Sequence, residues 1–526
     1  MNKWLTGSML STILISPFTN VYSQNQATPN ILIIMTDQQR WDALRYSGAN
    51  DIIQTPNLDK LAQNGAYFSQ ASSPCPVCGP ARTSILTGRY IETNGIRNNG
   101  DADIDKKCDF KTFDQLLTEN GYASEYIGKF HSPAQMADIY RNPSQYGYSG
   151  SRLIKSWERM YNFYLKEHAK KRQPASGELV DFSFFDGLPY KPTPIDRRFD
   201  KMPSGIITES DFSERQLTQP DHNGTLDLKP EYSITAFQGR QTIEAIERLK
   251  NQKFSITCSF HCPHSPILPT EPYASMYNPS KMPIPKSISD RMEGNPYVKS
   301  NGRLIATEYA DSAKIGYMIA NYYALITEID DWVGHILNKL DELKLRDKTL
   351  IVFMSDHGEM LGAHGMREKN VFLEESVRVP YILNFPGKIS PRKIDTPIST
   401  INTFATVLDY VGIKAESDGY SLKNLAEGGK QGIDFAISEW NFTPNQKIPN
   451  IMIRTKEWKL MISRSNENSA VDALYDLKND PYELNNLLFT NKEKYRKTAE
   501  LMKNKLYEQL AKTNYSYAEE INQRIF

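Results

Sequence analysis

Uninterrupted apolar runs recur along the chain, and each run ends where polar residues begin. Runs of this kind are typical of strands that are buried on both faces of a parallel sheet. The pattern therefore predicts strands at residues 30–36, 123–129, 254–260, 350–355 and 380–385.

Segments with helical spacing separate these runs. Residues 55–68 place their leucines on one face, and residues 112–121 repeat the pattern and end in glycine, a common helix stop signal. A long helical stretch at residues 312–343 precedes the fourth strand. Strands that alternate with helices predict an α/β fold with a large, mostly parallel central sheet flanked by helices.

The pattern changes in two further parts of the chain. Residues 135–235 are rich in proline, glycine and tyrosine, which predicts an insertion at the ligand-binding edge of the sheet; a surface excursion without a role is the alternative. Two short strands at 451–463 and a charged helix at 492–513 predict a smaller C-terminal α+β subdomain. We therefore expect a main domain at 24–430 and a C-terminal subdomain at 431–526.

The first residues form a separate segment. A lysine precedes an apolar stretch that reaches the small residue Ser23, which predicts a signal peptide over residues 1–23; a disordered N-terminus is the alternative. The stretch is too short and too interrupted to span a bilayer. We expect a protein that is secreted or periplasmic and has no membrane span.

The charge balance narrows the class of partner. Of the 526 residues, 62 are basic and 62 are acidic, so the formal net charge is zero. This balance gives no reason to expect binding to nucleic acid or to a membrane surface. The five cysteines are an odd number and do not form the disulfide framework of a small secreted protein. We therefore expect no nucleic-acid partner and look for function in the side chains that follow the predicted strands.

Metal-ligating side chains follow two of these strands. Asp37 and Gln38 come after the first strand, and Asp356 and His357 come after the fourth. The carboxyl ends of parallel strands meet at one edge of a sheet, so these side chains can converge on one divalent cation. Oxygen ligands favour Ca²⁺, with Mg²⁺ as an alternative. Gln38 and His357 make the ligand set less anionic, so Mn²⁺ is a further alternative. Taken singly, an aspartate at the end of a strand is more often a helix cap than a metal ligand.

Basic side chains follow predicted strands as well. Lys129 and His131 are two residues apart and so face the same way from an extended segment. His264 follows a further strand, and the prolines on either side of it hold the backbone extended. Lys369 lies downstream of the fourth strand. Each alone would more often be structural or solvated, and their common position favours one shared site.

The segment CGPARTSILTGR at residues 78–89 has the form C-x-P-x-R followed by an aliphatic residue and Thr-Gly. Cys78 is in register with this pattern, whereas Cys75 has valine and glycine where the pattern needs proline and arginine. Cys75 and Cys78 also form a C-x-x-C pair, which is found in redox proteins and in zinc half-sites. The sequence lacks the second pair that a zinc site of this kind needs.

Together these motifs resemble the type I sulfatases, the formylglycine-dependent family within the alkaline phosphatase superfamily. The resemblance extends over residues 29–487, and it includes a G-K-x-H segment at 128–131, a P-H-x-P segment at 263–266 and a D-H-G-E segment at 356–359. It implies an alkaline phosphatase-like fold, a catalytic domain at 24–430 and the activity of a sulfuric ester hydrolase.

The resemblance also implies the nucleophile. Cys78 would be oxidised to formylglycine by a formylglycine-generating maturation enzyme, and one hydroxyl of the hydrated aldehyde would attack sulfur. A thiolate would instead leave a stable thiosulfate adduct. The matured Cys78 would join the four predicted cation ligands, and Arg82 would hold the hydrated aldehyde.

The remaining roles are implied in the same way. Lys129 and Lys369 would bind the sulfate oxygens and stabilise their charge. His264 would act as the general acid for the leaving oxygen, with His261 as the alternate. His131 would take the proton of the second hydroxyl, so that the aldehyde reforms and sulfate leaves.

Two departures from the family keep a rival open. Gln38 stands where a second aspartate is commoner, and Gly79 and Ala81 stand where small polar residues are more usual. The Asp37–Gln38 pair and the CGPAR form also occur in the phosphonate monoester hydrolase branch. A non-catalytic binding protein on a sulfatase scaffold is the alternative outside enzymes, and a thiol redox protein is a third. Within the sulfatases, we expect a sulfated carbohydrate as substrate; glycosaminoglycan, algal and mucin sugars fit equally.

Overall fold

The computed structural model describes residues 28–103, 106–140, 223–290, 310–430, 432–440, 450–463 and 471–526, with residues 292 and 294 and the backbone of two short strands between residues 180 and 192. The expected signal peptide at 1–23 and most of the expected insertion at 135–235 lie outside the described residues.

Short and long strands occur throughout the chain. They are β1 Asn30–Asp37, β2 Ala66–Phe68, β3 Ala71–Ser72, β4 Ala123–Gly128, β5 Val180–Asp181, β6 Leu188–Pro192, β7 Gly224–Leu226, β8 Phe254–Pro263, β9 Thr349–Ser355, β10 Arg378–Val379, β11 Tyr381–Asn384, β12 Arg392–Ile394, β13 Ile398–Ser399, β14 Ala436–Trp440, β15 Asn450–Arg454, β16 Trp458–Ile462 and β17 Ala473–Asp476.

The helices are α1 Pro56–Gln63, α2 Cys78–Thr87, α3 Ile91–Asn94, α4 Asn99–Asp103, α5 Phe113–Glu119, α6 Ile234–Leu249, α7 Ser312–Glu342, α8 Glu374–Val377, α9 Asn402–Val411, α10 Lys423–Ala426, α11 Leu487–Thr490, α12 Lys492–Lys512 and α13 Ala518–Asn522. In the described parts of the chain, none of them combines the length and hydropathy needed to cross a bilayer.

A seven-stranded sheet lies at the centre, in the order β12-β2-β11-β9-β1-β8-β4. Strands β4, β8, β1 and β9 run parallel to one another. Strand β11 is antiparallel to both β9 and β2, and β12 is parallel to β2. All strands but β11 therefore share one direction, which confirms the predicted mostly parallel α/β sheet.

Strand β1 shows why its sequence is apolar without interruption. Leu32 and Ile34 pack into one core with residues of α1, α6 and α7. Ile31 and Ile33 point to the opposite face and pack with residues of α2, α5 and α9. Successive side chains of a strand alternate between faces, so a strand covered on both sides needs apolar residues at every position. The sheet is thus the middle layer of three.

A smaller antiparallel sheet, β14-β15-β16-β17, forms the C-terminal part of the molecule. Met452 and Met461 face the main domain. Ile453 and Leu460 face the other way and pack against Leu506 of α12. The smaller C-terminal domain predicted from the sequence is therefore confirmed in its architecture, while its boundary at residue 430 stays a prediction.

The predicted helix at 55–68 is wrong over residues 64–68. Helix α1 ends at Gln63, and the chain then turns through Gly65 into β2. A Cβ atom on Gly65 would lie 2.5 Å from the carbonyl oxygen of Leu383, so only glycine allows this close approach. Strand β2 is held by its pairing with β11 and β12, which come more than 300 residues later and which local spacing does not reveal.

Candidate active site

Two aspartates lie side by side at the carboxyl end of the central sheet. Asp37 is the last residue of β1, and Asp356 directly follows β9. Thr36 and Ser355 pair across these neighbouring strands, which brings the two carboxyl groups together. Both side chains are fully buried. The structure therefore joins two residues that are far apart in the sequence into one buried anionic group.

The guanidinium of Arg82 neutralises this pair. Its Nε donates to Asp356 Oδ2 at 2.8 Å, and its Nη2 donates to Asp37 Oδ2 at 3.1 Å. Its Nη1 donates to Ser259 Oγ at 2.8 Å and to the carbonyl of Lys129. Arg82 is fully buried, and a buried charge of this kind is tolerated only when it is paired and hydrogen-bonded. Arg82 therefore fixes α2 against the ends of four strands.

Cys78 begins α2 and points at the same group. Its Sγ lies 3.0 Å from His357 Nε2, 3.7 Å from Lys129 Nζ and 3.8 Å from Asp37 Oδ1. Burial raises the pKa of the Cys78 thiol, but the charges of Lys129, Lys369 and His357 outweigh it and hold the pKa well below its usual range. Cys78 is thus set among polar and charged groups, the environment of a reactive cysteine.

Cys75 lies in different surroundings, although it is only three residues away. It is fully buried in an apolar cluster that includes Val77 and Met366. Burial and the carboxylate of Glu439 raise the pKa of its thiol well above the usual range. This is the environment of an inert structural cysteine. The contrast agrees with the sequence register, which singles out Cys78.

Four of the five predicted metal ligands converge. One ligand atom each from Asp37, Cys78, Asp356 and His357 lies within 4.8 Å of the others, and all four residues are buried. Two carboxylates and an imidazole suit a divalent cation. The thiol sulfur of Cys78 stands in for an oxygen atom of the matured residue. The donor set therefore fits the cation that the sequence predicts.

Gln38, the fifth predicted ligand, lies beside this group with its amide engaged elsewhere. Its amide oxygen accepts from Lys369 Nζ at 2.6 Å, and its amide nitrogen donates to Glu359. Its backbone N–H donates to Asp356 Oδ1 at 3.0 Å, and its φ of 73° is left-handed. Gln38 connects the aspartates to Lys369, and its role as a metal ligand stays a prediction.

The end of β4 places Lys129 and His131 beside Cys78. Lys129 Nζ lies 2.6 Å from Asp37 Oδ2, and His131 is hydrogen-bonded to the side chain of Cys78. Gly128 makes this turn at a φ of 95°, and a Cβ atom there would lie 2.0 Å from the carbonyl oxygen of Ser259. The glycine of the G-K-x-H segment is therefore required for the close approach of β4 to β8.

Lys369, whose charge also acts on the Cys78 thiol, lies beside His264. Lys369 Nζ lies 3.0 Å from His264 Nε2, and His264 Nδ1 lies 2.8 Å from the carbonyl oxygen of Ser265. The ring of His261 lies 5.2 Å from the ring of His264. Burial, together with the charge of Lys129, lowers the pKa of His261 well below its usual range. His264 is the more exposed of the two histidines.

Two glutamates support the site, the fully buried Glu359 and the partly buried Glu368, and neither was predicted from the sequence as a site residue. Glu359 accepts from the Gln38 amide and from the backbone N–H groups of Leu361 and Glu368, at 3.1 and 2.6 Å. Glu368 Oε2 lies 3.1 Å from Lys369 Nζ. The sequence feature that could have identified Glu359 is its place in the D-H-G-E segment. The feature that could have identified Glu368 is its position next to Lys369.

The comparisons with known proteins agree with this geometry. The sulfatase family model matches residues 29–413, which is most of the chain. A second model, described as N-sulphoglucosamine sulphohydrolase, C-terminal, matches residues 362–512. The two matches together include the central sheet, the cluster around Cys78 and the C-terminal sheet.

Two relatives that match over most of their own length are named as sulfatases, and a solved structure shares the fold. An arylsulfatase of Clostridium perfringens is 27% identical over 93% of this chain and 96% of its own length. An N-acetylglucosamine-6-O-sulfatase of Bacteroides thetaiotaomicron is 27% identical over 94% of this chain and 88% of its own length. The crystal structure of the phosphonate monoester hydrolase of Agrobacterium radiobacter has a TM-score of 0.72 at 24% identity and covers 92% of this chain and 96% of that chain. The last likeness shows the fold alone.

Proposed function

Because the chain belongs to the sulfatase family and is a sulfuric ester hydrolase, we propose that it removes sulfate from a sulfated carbohydrate. The reaction uses Cys78 in its formylglycine form together with one divalent cation. The observation that carries the proposal is the position of Cys78 Sγ, 3.0 Å from His357 and 3.7 Å from Lys129 within a buried cluster of metal-ligating groups.

The cation is held by Asp37, Asp356, His357 and the matured Cys78, with Gln38 as the further ligand. It is Ca²⁺, with Mg²⁺ or Mn²⁺ as the alternatives, because oxygen atoms dominate this set. When bound, it polarises the sulfate group and lowers the pKa of the attacking hydroxyl. Arg82 keeps the two aspartates oriented, since it donates to both carboxylates.

The matured Cys78 side chain is the nucleophile, and His131 and Arg82 act on it. The hydrated aldehyde supplies one hydroxyl for attack on sulfur and a second whose deprotonation expels sulfate as the aldehyde reforms. His131, hydrogen-bonded to the Cys78 side chain, takes that second proton. Arg82, one helical turn after Cys78, holds the hydrate.

The substrate is bound and activated by the remaining basic residues. Lys129 and Lys369 contact the sulfate oxygens, where their fixed charges stabilise the negative charge of the transition state. His264 protonates the departing alcohol oxygen, because it is the more exposed histidine of its segment and lies next to Lys369. The buried His261 is the alternate for this step.

A sulfated saccharide is the substrate class that the relatives favour. One relative is named as an N-acetylglucosamine-6-O-sulfatase and another as an ulvan-active sulfatase. The Asp37–Gln38 pair favours a second candidate, hydrolysis of phosphonate or phosphate monoesters, and a relative of 26% identity is named as a multifunctional alkaline phosphatase superfamily protein. The same site geometry serves either ester, because both carry a tetrahedral anion.

Export accompanies this function. The apolar segment in residues 1–23 is a signal peptide, and the protein acts in the periplasm or outside the cell, where large sulfated saccharides are encountered. Maturation of Cys78 requires a formylglycine-generating enzyme as a partner.

Sulfate release from a panel of defined sulfated saccharides tests the proposal. We expect the matured enzyme to release inorganic sulfate from at least one saccharide, with a kcat/KM well above that for a phosphonate monoester. Much faster turnover of the phosphonate would instead support the second candidate and contradict the carbohydrate sulfatase.

A further inference from the structure

A network of buried charges lies where the C-terminal sheet meets the main domain. Lys459 of β16 is fully buried, and its Nζ lies 2.9 Å from Glu374 Oε1 and 2.8 Å from Glu483 Oε1. Arg454 of β15 donates to both oxygens of Glu374, at 3.0 and 2.9 Å. Buried charges are costly unless each is paired, so this network fixes the relative positions of its members.

The network also holds the backbone of the segment that carries Lys369. Lys459 Nζ donates to the carbonyl oxygen of Phe372 at 2.8 Å. The backbone N–H of Glu374 donates to Glu483 Oε2 at 2.7 Å. Lys369 lies only three residues before Phe372, so two side chains of the C-terminal part restrain the chain immediately after it.

Apolar contacts extend the same support to the nucleophile. Phe372 packs in one cluster with Met452 and Met461 of the C-terminal sheet and with Val77, the residue before Cys78. The backbone N–H of Glu439 in β14 donates to the carbonyl oxygen of Pro74 at 2.9 Å. The C-terminal sheet therefore contacts and supports both the loop before Cys78 and the segment after Lys369.

We propose that Lys459 and Glu483 are positioning residues that set the place of Lys369 in the active site. Lys369 is almost fully buried, and its Nζ is shared between Gln38, His264 and Glu368, so a small displacement of its backbone changes which group it reaches. The C-terminal sheet thus contributes to sulfate binding without touching the substrate. The inference rests on the role that the proposed function gives to Lys369.

A double-mutant cycle tests this coupling. We expect Lys459→Met to lower kcat/KM by roughly 2- to 150-fold, the range typical of coupled residues, and to weaken inhibition by inorganic sulfate. In a Lys369→Ala background the same substitution should change kcat/KM by less than about twofold, while the loss in melting temperature remains. Equal fold-losses of kcat/KM in both backgrounds would show that Lys459 acts on stability alone, and they would overturn the proposal.

Three further variants make the test robust. Glu483→Gln keeps the shape of its side chain and should show the same non-additive pattern if Lys459→Met does not fold. Lys459→Arg keeps the charge and should recover part of the lost kcat/KM. Lys456→Met, which changes a largely exposed lysine of the turn before β16, should leave kcat/KM unchanged. Failure of the proposed function is distinct, because the unsubstituted matured enzyme would then release no sulfate.

Discussion

Lys369 Nζ lies 3.0 Å from His264 Nε2, and an ammonium group can only donate a hydrogen bond. His264 therefore accepts at Nε2, while its Nδ1 donates to the carbonyl oxygen of Ser265 at 2.8 Å. Such a histidine is neutral. To protonate a leaving oxygen, His264 must gain a proton at Nε2 and Lys369 must turn away from it.

Replacement of His264 by alanine should have an effect that depends on the leaving group. A sugar alkoxide leaves poorly without a proton, whereas a nitrophenolate leaves well. General acid catalysis typically contributes about 10²–10⁴-fold, so His264→Ala should lose roughly that factor in kcat on a sulfated sugar and much less on an aryl sulfate. Steady-state kinetics on both substrates measure the difference.

Lys369→Ala is the matched control for this experiment. Its proposed contacts are with the sulfate oxygens, which both substrates share, so both should be impaired alike. Equal losses of His264→Ala on the two leaving groups would remove His264 as the acid and assign the role to His261.

Removal of the cation should abolish turnover and lower the melting temperature. A ligand that binds only the folded state stabilises it by about 2.7 kcal/mol at a concentration of 100 times its Kd. Titration of the chelated protein with Ca²⁺, followed by thermal unfolding, measures this gain. Asp356→Asn should reduce it more than Gln38→Ala, because it removes charge from the site. Active protein without bound divalent metal, shown by elemental analysis, would contradict the proposed site.

The stability of the protein should depend on pH through Glu328. Burial raises the pKa of this carboxyl from 4.5 to about 8, despite its hydrogen bond from Ser233. The folded state therefore binds more protons than the unfolded state between these values, so stability falls as pH rises from about 4.5 to 8. Glu328→Gln should reduce this pH-dependent change in the free energy of unfolding by an amount on the order of a few kcal/mol.

Chemical denaturation at several pH values measures the effect of Glu328. Glu342→Gln, at an exposed position of the same helix, is the matched control and should leave the pH dependence unchanged. Identical pH slopes for the unsubstituted protein and Glu328→Gln would refute the raised pKa.

The sequence was sufficient to predict which residues form the centre of the site. Asp37 and Asp356 could be placed together because both follow apolar runs that are typical of neighbouring parallel strands. The motif around Cys78 depends only on the spacing of nearby residues, and this spacing distinguishes Cys78 from Cys75. The structure makes the same distinction, because the two cysteines lie in different environments. These features could be predicted because each depends on nearby residues or on a general rule of sheet topology.

The contacts between side chains could not be predicted in the same way. The pair Lys369–His264 joins residues 105 positions apart, and nothing in either segment specifies the hydrogen bond between them. The attachment of Gln38 to Glu359 depends on the left-handed backbone of Gln38, which only the folded environment enforces. Strand β2 was missed for a related reason, because its partners come from the distant strands β11 and β12.

The most direct measurement compares the aldehyde content of Cys78 with the rate of sulfate release. Preparations made with different amounts of maturation enzyme give different aldehyde fractions, which peptide mass analysis quantifies. We predict that kcat on a sulfated saccharide is proportional to this fraction, that Cys75→Ala retains most of the activity, and that Cys78→Ala has none. Full activity of Cys78→Ala, or a rate of sulfate release that does not follow the aldehyde fraction, would contradict the formylglycine mechanism.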